Sequence, residues 1–133
     1  MKPRSLYLDS SALIKLVFDE EETAALEDFL SEHRLRLSSS LARVEVMRAA
    51  RTVSDELVSR HADAVLGAIE LIAPDAALLA DAARIDPLRL RSLDAVHLAT
   101  AVALAEDIEG MVVYDRRLAD AARHAGLTVW SPS

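Results

Sequence analysis

The stretch "SLYLDSSALIKLVF", Ser5 to Phe18, joins a short apolar strand to a helix with only one acid between them. The first four residues have the apolar character of a buried strand, Asp9 ends them, and the residues that follow have helical spacing. The same order returns in "GMVVYDRRLADAARHAG", Gly110 to Gly126, where Asp115 ends the strand and the helix closes at Gly126. Strands that run directly into helices predict crossover connections and parallel pairing.

The rest of the chain continues this alternation of strands and helices. Apolar periodicity and turn residues predict strands over 34–40, 69–73 and 127–130, and helices over 19–33, 41–51, 54–67, 76–85 and 92–104. The acids at 19–22 are expected to form a solvated first turn of their helix. We therefore predict a three-layer α/β/α fold with a mostly parallel central sheet, formed as a single domain over residues 1–133.

Composition narrows the class of protein. The 133 residues are 52% hydrophobic with three glycines and four prolines, which favours a compact, ordered fold. The absence of cysteine excludes disulfides and thiolate zinc sites. Neither a signal peptide nor a run of roughly 18 apolar residues is present, so we expect a cytoplasmic protein with no membrane contact. The formal net charge of −7 is unusual for a nucleic-acid binder, but most of the basic residues are arginine and several are clustered.

Four acids stand where a structural role alone explains them poorly. Asp9 and Asp115 follow predicted strands, and ligands of doubly wound α/β folds bind beyond the carboxyl ends of the strands. Glu45 lies in or beside the apolar stripe of its helix, and Asp94 does the same in "SLDAVHLATAVAL", Ser92 to Leu104. The fold is therefore able to bring four carboxylates to one crevice.

Clustered, buried carboxylates repel one another unless a cation neutralises them. Mg²⁺ and Mn²⁺ prefer oxygen ligands, whereas the four histidines lack the paired spacing of a zinc site. A divalent ion beside arginines suits phosphate ester chemistry, in which it activates water and stabilises charge on phosphoryl oxygens. The acids thus predict a Mg²⁺ or Mn²⁺ site for phosphate chemistry.

Each acid also has a structural alternative. Asp9, Asp115 and Asp94 are residue types that cap helix N-termini, and Glu45 has Arg43 and Arg48 nearby for an ion pair. His97 lies one turn from Asp94, but a histidine in so apolar a helix is expected to be a hydrogen-bonded core residue rather than part of the site. Ser10 is expected to be a turn residue.

Four segments resemble, in order and spacing, PIN-domain ribonucleases of the VapC toxin type: "LYLDSSALIKL", "ARVEV", "RSLDAVHLATAVAL" and "VVYDRRLADAARHAGL". The resemblance implies a Mg²⁺- or Mn²⁺-dependent endoribonuclease that cleaves structured RNA such as tRNA or rRNA and is inhibited by a cognate antitoxin. A homodimer is also expected. Carried over by position, Asp9, Glu45, Asp94 and Asp115 are catalytic, and Asp9, Asp94 and Asp115 are the metal ligands.

The same resemblance concerns two neighbouring positions, and it implies that Ser11 orients the metal or its water. Independently of it, Arg116 and Arg117 adjoin Asp115 and are expected to contact phosphate, with ion pairs on the helix surface as the alternative. Val113 departs from the pattern, because many relatives carry Thr or Ser two residues before the last acid. That departure concerns a supporting hydrogen bond rather than the four acids.

Other functions are weighed by specific residues. A PIN fold kept only to bind a partner protein would not need all four acids. A phosphohydrolase with Asp9 as nucleophile needs a second acid two residues on, where this chain has Ser11. A dinucleotide-binding domain is excluded, because no glycine-rich turn follows the first strand.

Overall fold

The computed structural model describes residues 2–133, which form five strands and seven helices. The strands are β1 (Ser5–Leu8), β2 (Arg36–Ser39), β3 (Glu70–Ile72), β4 (Ile108–Val112) and β5 (Val129–Trp130). The helices are α1 (Ser10–Val17), α2 (Thr23–Leu30), α3 (Ala42–Arg51), α4 (Glu56–Gly67), α5 (Ala76–Ala82), α6 (Ser92–Ala103) and α7 (Arg116–His124).

The sheet has the order β3-β2-β1-β4-β5, and every neighbouring pair is parallel. β1 lies at its centre, and its side chains alternate between the two faces. Leu6 and Leu8 pack into an apolar cluster with α1 to α4, whereas Tyr7 packs into a second cluster with α5 to α7. Helices therefore cover both faces of the sheet, which confirms the predicted three-layer α/β/α fold.

Some predicted boundaries were wrong for identifiable reasons. α2 begins at Thr23, so the acids at 19–21 precede the helix instead of filling its first turn. Lys15 binds one of these acids and the N-cap residue of α2, since its Nζ lies 3.0 Å from Glu20 and 2.8 Å from Glu22. A lysine on α1 holds this segment against the helix, and local charge spacing could not reveal that contact.

The strand predicted over 110–115 is displaced toward the N-terminus. β4 occupies Ile108–Val112, so Asp115 follows the end of the strand by three residues. The predicted end of α7 is confirmed: Gly126 has φ +90°, in the left-handed region that glycine adopts without strain. No helix within residues 2–133 combines the length and the apolarity that a bilayer crossing requires.

Candidate active site at the carboxyl edge of the sheet

The central strands β1 and β4 end side by side, since Leu8 is the register partner of Val112. Asp9 follows Leu8 directly and is the N-cap of α1. Its Oδ1 accepts hydrogen bonds from the Ala12 amide at 3.0 Å and from the Ser11 hydroxyl at 2.6 Å. The residue is 2% exposed, and burial raises its pKa to about 6.

Asp115 occupies the equivalent place after β4. It is the N-cap of α7, and its Oδ1 accepts a hydrogen bond from the Leu118 amide at 3.1 Å. Ser11 ties the two strand ends together, because its hydroxyl donates to Asp9 and accepts from the Tyr114 amide at 2.9 Å. The capping alternative is thus confirmed for both aspartates. In each, the cap uses Oδ1.

Glu45 reaches the same edge of the sheet from α3. Its Oε1 accepts hydrogen bonds from the Ser10 hydroxyl at 2.6 Å and from His97 Nε2 at 2.9 Å. Burial acts to raise the pKa of Glu45, but these hydrogen bonds outweigh it and leave the pKa below its usual value. The ion-pair alternative fails for Arg43, which binds Asp63 at 3.2 Å instead.

Asp94 lies in the first turn of α6 and does not cap that helix, whose N-cap is Arg91. The capping alternative is therefore wrong for this residue. The pKa of Asp94 is raised, first by burial and then by the neighbouring carboxylates of Asp115 and Glu45, while His97 and Arg91 oppose the shift. Asp94, Asp115 and Glu45 thus share one electrostatic neighbourhood. Not every apolar residue of α6 is buried, since Leu93 and Val102 are each 43% exposed.

The four acids offer the type of ligand that a hard divalent cation prefers, but their side chains are not gathered closely around one point. Carboxylate oxygens are the ligands that Mg²⁺ and Mn²⁺ prefer, and both aspartate caps employ a single oxygen. Over residues 2–133, however, no three histidine, aspartate or glutamate side chains are gathered closely enough to hold an ion. Uncompensated carboxylates repel one another, so an open arrangement is the physical expectation for four acids without a counter-ion.

Sequence reasoning missed three polar residues beneath Glu45. Ser10 is not a simple turn residue, because it is buried and donates to Glu45. His97, 1% exposed, is a core residue as expected, yet its Nε2 faces Glu45 while its Nδ1 lies 2.7 Å from the Tyr7 hydroxyl. The only sequence signal was the polarity of Tyr7 and His97 in otherwise apolar segments.

The structure shows the surroundings of two residues next to the acids, Val113 and Arg116. The Val113 side chain is fully buried in the apolar cluster formed with α6 and α7, where a Thr or Ser hydroxyl would sit among hydrocarbon. Arg116 is exposed at the first position of α7, next to Asp115. Its contact with phosphate stays a prediction.

Fold and site together define a three-layer α/β/α protein with acidic side chains at the carboxyl edge of a parallel sheet. A PIN-domain family model matches residues 6–124. Ribonuclease VapC46 of Mycobacterium tuberculosis is 41% identical over 129 residues, which cover 97% of this chain and 98% of the relative. Ribonuclease VapC35 of the same organism is 40% identical over 131 residues, or 96% of each chain.

Solved structures agree on the fold. The crystal structure of Mycobacterium tuberculosis VapC20, described as a sarcin-ricin loop cleaving toxin, has a TM-score of 0.74 at 15% identity and covers 93% of this chain and 97% of that one. A toxin-antitoxin complex from Klebsiella pneumoniae has a TM-score of 0.72 at 21% identity, with 97% and 98% covered. The chain therefore belongs to the PIN-domain family, among the VapC-type ribonucleases.

Proposed function

We propose that this protein is a metal-dependent endoribonuclease, the toxin of a toxin–antitoxin pair, that cleaves structured RNA such as tRNA or rRNA. One observation carries the proposal: Asp94 lies half-buried in the first turn of α6, caps nothing, and has its pKa raised by burial and by Asp115 and Glu45. The helix dipole favours an acid in a first turn, but it does not account for a carboxylate whose charge is disfavoured by burial and by two neighbouring carboxylates. Groups held under such electrostatic strain are concentrated at functional sites.

The chain supplies two kinds of acid to this chemistry. Asp9, Asp94 and Asp115 would hold Mg²⁺ or Mn²⁺, which when bound supplies activation of water and neutralises charge on the phosphoryl oxygens. Glu45 remains a carboxylate, because Ser10 and His97 keep its pKa low despite its burial. Its second oxygen is then available to accept a hydrogen bond from the attacking water and to orient it.

An RNA strand needs basic contacts beside so acidic a crevice. A groove of about 550 Å³ has apolar walls, and its charged lining consists of three arginines and two aspartates: Arg84, Arg89, Arg117, Asp86 and Asp120. None of the three arginines forms an ion pair with a carboxylate of residues 2–133. Arg117 follows Asp115 by two residues, which places one side of the groove near that acid in the sequence. These guanidinium groups, with Arg116, are suited to hold the RNA backbone.

The partner and setting rest on the family. The Klebsiella pneumoniae neighbour is a toxin-antitoxin complex, which supports a cognate antitoxin for this chain as well. A homodimer and a cytoplasmic location stay predictions. Light scattering during size-exclusion chromatography measures the first of these directly.

Two rival functions are disfavoured by particular contacts. A fold kept only for protein binding has no use for Asp94, whose charge is opposed by its surroundings. An aspartyl nucleophile at Asp9 would need a second acid at position 11, but Ser11 stands there and donates its hydroxyl proton to Asp9.

The test is RNA cleavage by the purified protein with Mn²⁺, using tRNA and rRNA fragments as substrates. Asp94→Asn keeps the shape of the side chain and removes its charge, so cleavage should fall below detection. Asp81→Asn is the matched control, since Asp81 is an exposed aspartate on α5, and it should cleave as the wild type does. Full activity in Asp94→Asn would refute the assignment of the site.

A further inference from the structure

We propose that His97 is a positioning residue for Glu45: its Nε2–H, fixed by the buried hydroxyl of Tyr7, holds Glu45 Oε1 in place and leaves Oε2 facing the crevice. This inference rests on the proposed function, because it assigns a task to a residue beneath the proposed active site. It concerns four residues from four different elements: Tyr7 on β1, Ser10 on α1, Glu45 on α3 and His97 on α6.

The contacts form one continuous chain. The Tyr7 hydroxyl lies 2.7 Å from His97 Nδ1, and His97 Nε2 lies 2.9 Å from Glu45 Oε1. Ser10 Oγ closes a triangle, at 2.6 Å from Glu45 Oε1 and 3.0 Å from His97 Nε2. The imidazole is 1% exposed, so protein groups rather than water supply its partners.

Counting protons along this chain determines the histidine tautomer. The single hydroxyl proton of Ser10 is donated to Glu45, so Ser10 Oγ can only accept from His97 Nε2. Nε2 therefore carries a hydrogen, shared between Ser10 and Glu45. At the other end, a phenol ordinarily ionises only at about pH 10, so Tyr7 carries its proton at neutral pH and donates it to Nδ1. The Nε2–H tautomer satisfies all four contacts.

This arrangement fixes one oxygen of the glutamate and leaves the other free. Both donors, Ser10 and His97, act on Oε1. An unrestrained glutamate has several rotamers, and ordering it at the moment of reaction would oppose catalysis. A carboxylate held in advance by buried donors avoids that loss. Groups that orient an active-site residue in this way typically change activity by 10- to 100-fold when they are removed.

A purely structural role would not predict where the imidazole directs its hydrogen. Tyr7 and His97 pack edge to face at 5.8 Å between ring centroids, and that contact alone would serve the core. Nε2, however, points at a functional carboxylate rather than at a backbone carbonyl. The contribution of His97 should therefore depend on Glu45, whereas the contribution of a core residue would not.

The experiment is a double-mutant cycle read by RNA cleavage. His97→Met fills the volume without a donor, and it should lower kcat about 10- to 100-fold with little change in KM. His97→Gln retains an amide donor near the Nε2 position and should recover most of that loss. In a Glu45→Ala background, adding His97→Met should lower kcat by less than a further factor of about three. Equal losses in both backgrounds, or equal losses for Gln and Met, would overturn the proposal.

A second readout does not depend on activity. Long-range ¹H–¹⁵N correlation spectra of the histidine ring show which nitrogen carries the hydrogen, and in the wild type it should be Nε2. Glu45→Ala should shift that Nε2 signal, while Asp81→Asn should leave it in place. If the wild type cleaves no RNA, the proposed function fails on its own, and the spectra still decide whether His97 donates to Glu45. An Nδ1–H tautomer would overturn the inference. Ser10→Ala removes the other donor to Glu45 Oε1, and it replaces His97→Met in the cycle if that variant does not fold.

Discussion

The four acids predicted to form the site fall into two pairs that the fold holds in different ways. Asp9 and Asp115 follow the central strands and are held by backbone amides, because each caps the helix that begins beside it. Glu45 and Asp94 project from the sides of α3 and α6 and cap nothing. We call the first pair the strand-end acids and the second pair the helix-face acids.

The difference separates two kinds of stabilisation. A strand-end acid contributes to folding independently of its proposed role in chemistry, since its Oδ1 satisfies a helix terminus. A helix-face acid has only side-chain partners, as Glu45 has in Ser10 and His97, or unfavourable neighbours, as Asp94 has in Asp115. Function therefore explains the helix-face acids more fully than stability does.

The largest expected effect compares two substitutions at one acid of each pair. Changing Asp115 or Asp94 to either Asn or Ala should lower the RNA cleavage rate by about 100-fold or more, since direct ligands matter at least as much as their supports. Stability should respond differently in the two pairs. At Asp115, Asn keeps the cap and Ala loses about 1 kcal/mol. At Asp94, Ala should be as stable as Asn or slightly more so.

Urea denaturation of the four variants measures those stabilities, with wild type alongside. A cap-like preference for Asn at Asp94 would erase the distinction between the pairs. Undiminished cleavage by Asp115→Asn would instead remove that residue from the site.

The next effect concerns pH and the buried strand-end acid. Burial raises the pKa of Asp9 from 3.8 to about 6, so the folded state holds this proton more tightly than the unfolded state does. In metal-free protein the resulting stability is present below about pH 4 and is lost as the pH rises through 6. At about 1.4 kcal/mol per pKa unit, the loss is about 3 kcal/mol by pH 7.

Asp9→Asn keeps a capping side chain and cannot ionise. In EDTA, its free energy of unfolding relative to wild type should rise by about 2 kcal/mol between pH 4 and pH 7, because part of the loss has already occurred at pH 4. Urea titrations at pH 4, 5.5 and 7 measure the difference, and excess Mn²⁺ at pH 7 should shrink it. A difference that stays constant with pH would show that burial does not oppose the charge of Asp9.

A smaller effect is expected at the residue between β4 and its acid. Val113 is fully buried among apolar side chains, so Val113→Thr would bury a hydroxyl without an evident partner. We expect a loss of about 1 to 3 kcal/mol in stability and no gain in cleavage per folded molecule. Thermal melting and the cleavage rate test the two parts, with Val113→Ala as the control for lost volume. A faster Val113→Thr enzyme would mean that the hydroxyl reaches the acids.

The smallest effect lies on the helix that Asp115 caps. Arg117→Gln should raise KM for RNA a few-fold, leave kcat nearly unchanged, and reduce the salt dependence of RNA binding by about one unit in slope. Arg60→Gln is the control, because Arg60 is exposed on α4 and pairs with Glu56 at 3.7 Å. Equal responses of the two variants would exclude the groove as the path of the RNA. Loss of antitoxin binding with unchanged RNA binding would assign the groove to the protein partner.

The same two pairs show how far the sequence predicted the molecule. The strand-end acids were predictable because an apolar strand, an acid and a helix follow one another locally in "LYLDSSALIKL". The helix-face acids were predictable only as acids in apolar helices. Their supports were not, because the contacts of Glu45 with Ser10 and His97 join residues 35 and 52 positions apart.

Some predicted helix boundaries were wrong for a similar reason, namely contacts between residues that are not neighbours in the sequence. α2 begins at Thr23, whose buried hydroxyl donates to the backbone carbonyls of Lys15 and Phe18, so the acids at 19–21 lie outside the helix although the dipole favours acids in a first turn. The fold class, by contrast, depends on the repeated alternation of strand and helix, which survives errors of a few residues at each end.

Thermal melting of wild type and Asp94→Asn, each in EDTA and in millimolar Mn²⁺, tests most directly whether the two pairs form one cation site. Asp94 does not cap α6, so a lost cap cannot confuse the result.

A ligand at 100 times its Kd adds about 2.7 kcal/mol to the free energy of unfolding, and each 1 kcal/mol moves Tm by about 3 to 6 °C for a domain of this size. Wild type should therefore melt several degrees higher with Mn²⁺. Asp94→Asn should melt above wild type in EDTA, because its pKa shows that the charge is disfavoured, and should respond less to Mn²⁺. An Asp94→Asn protein that melts lower in EDTA and keeps the full Mn²⁺ shift would contradict the shared site.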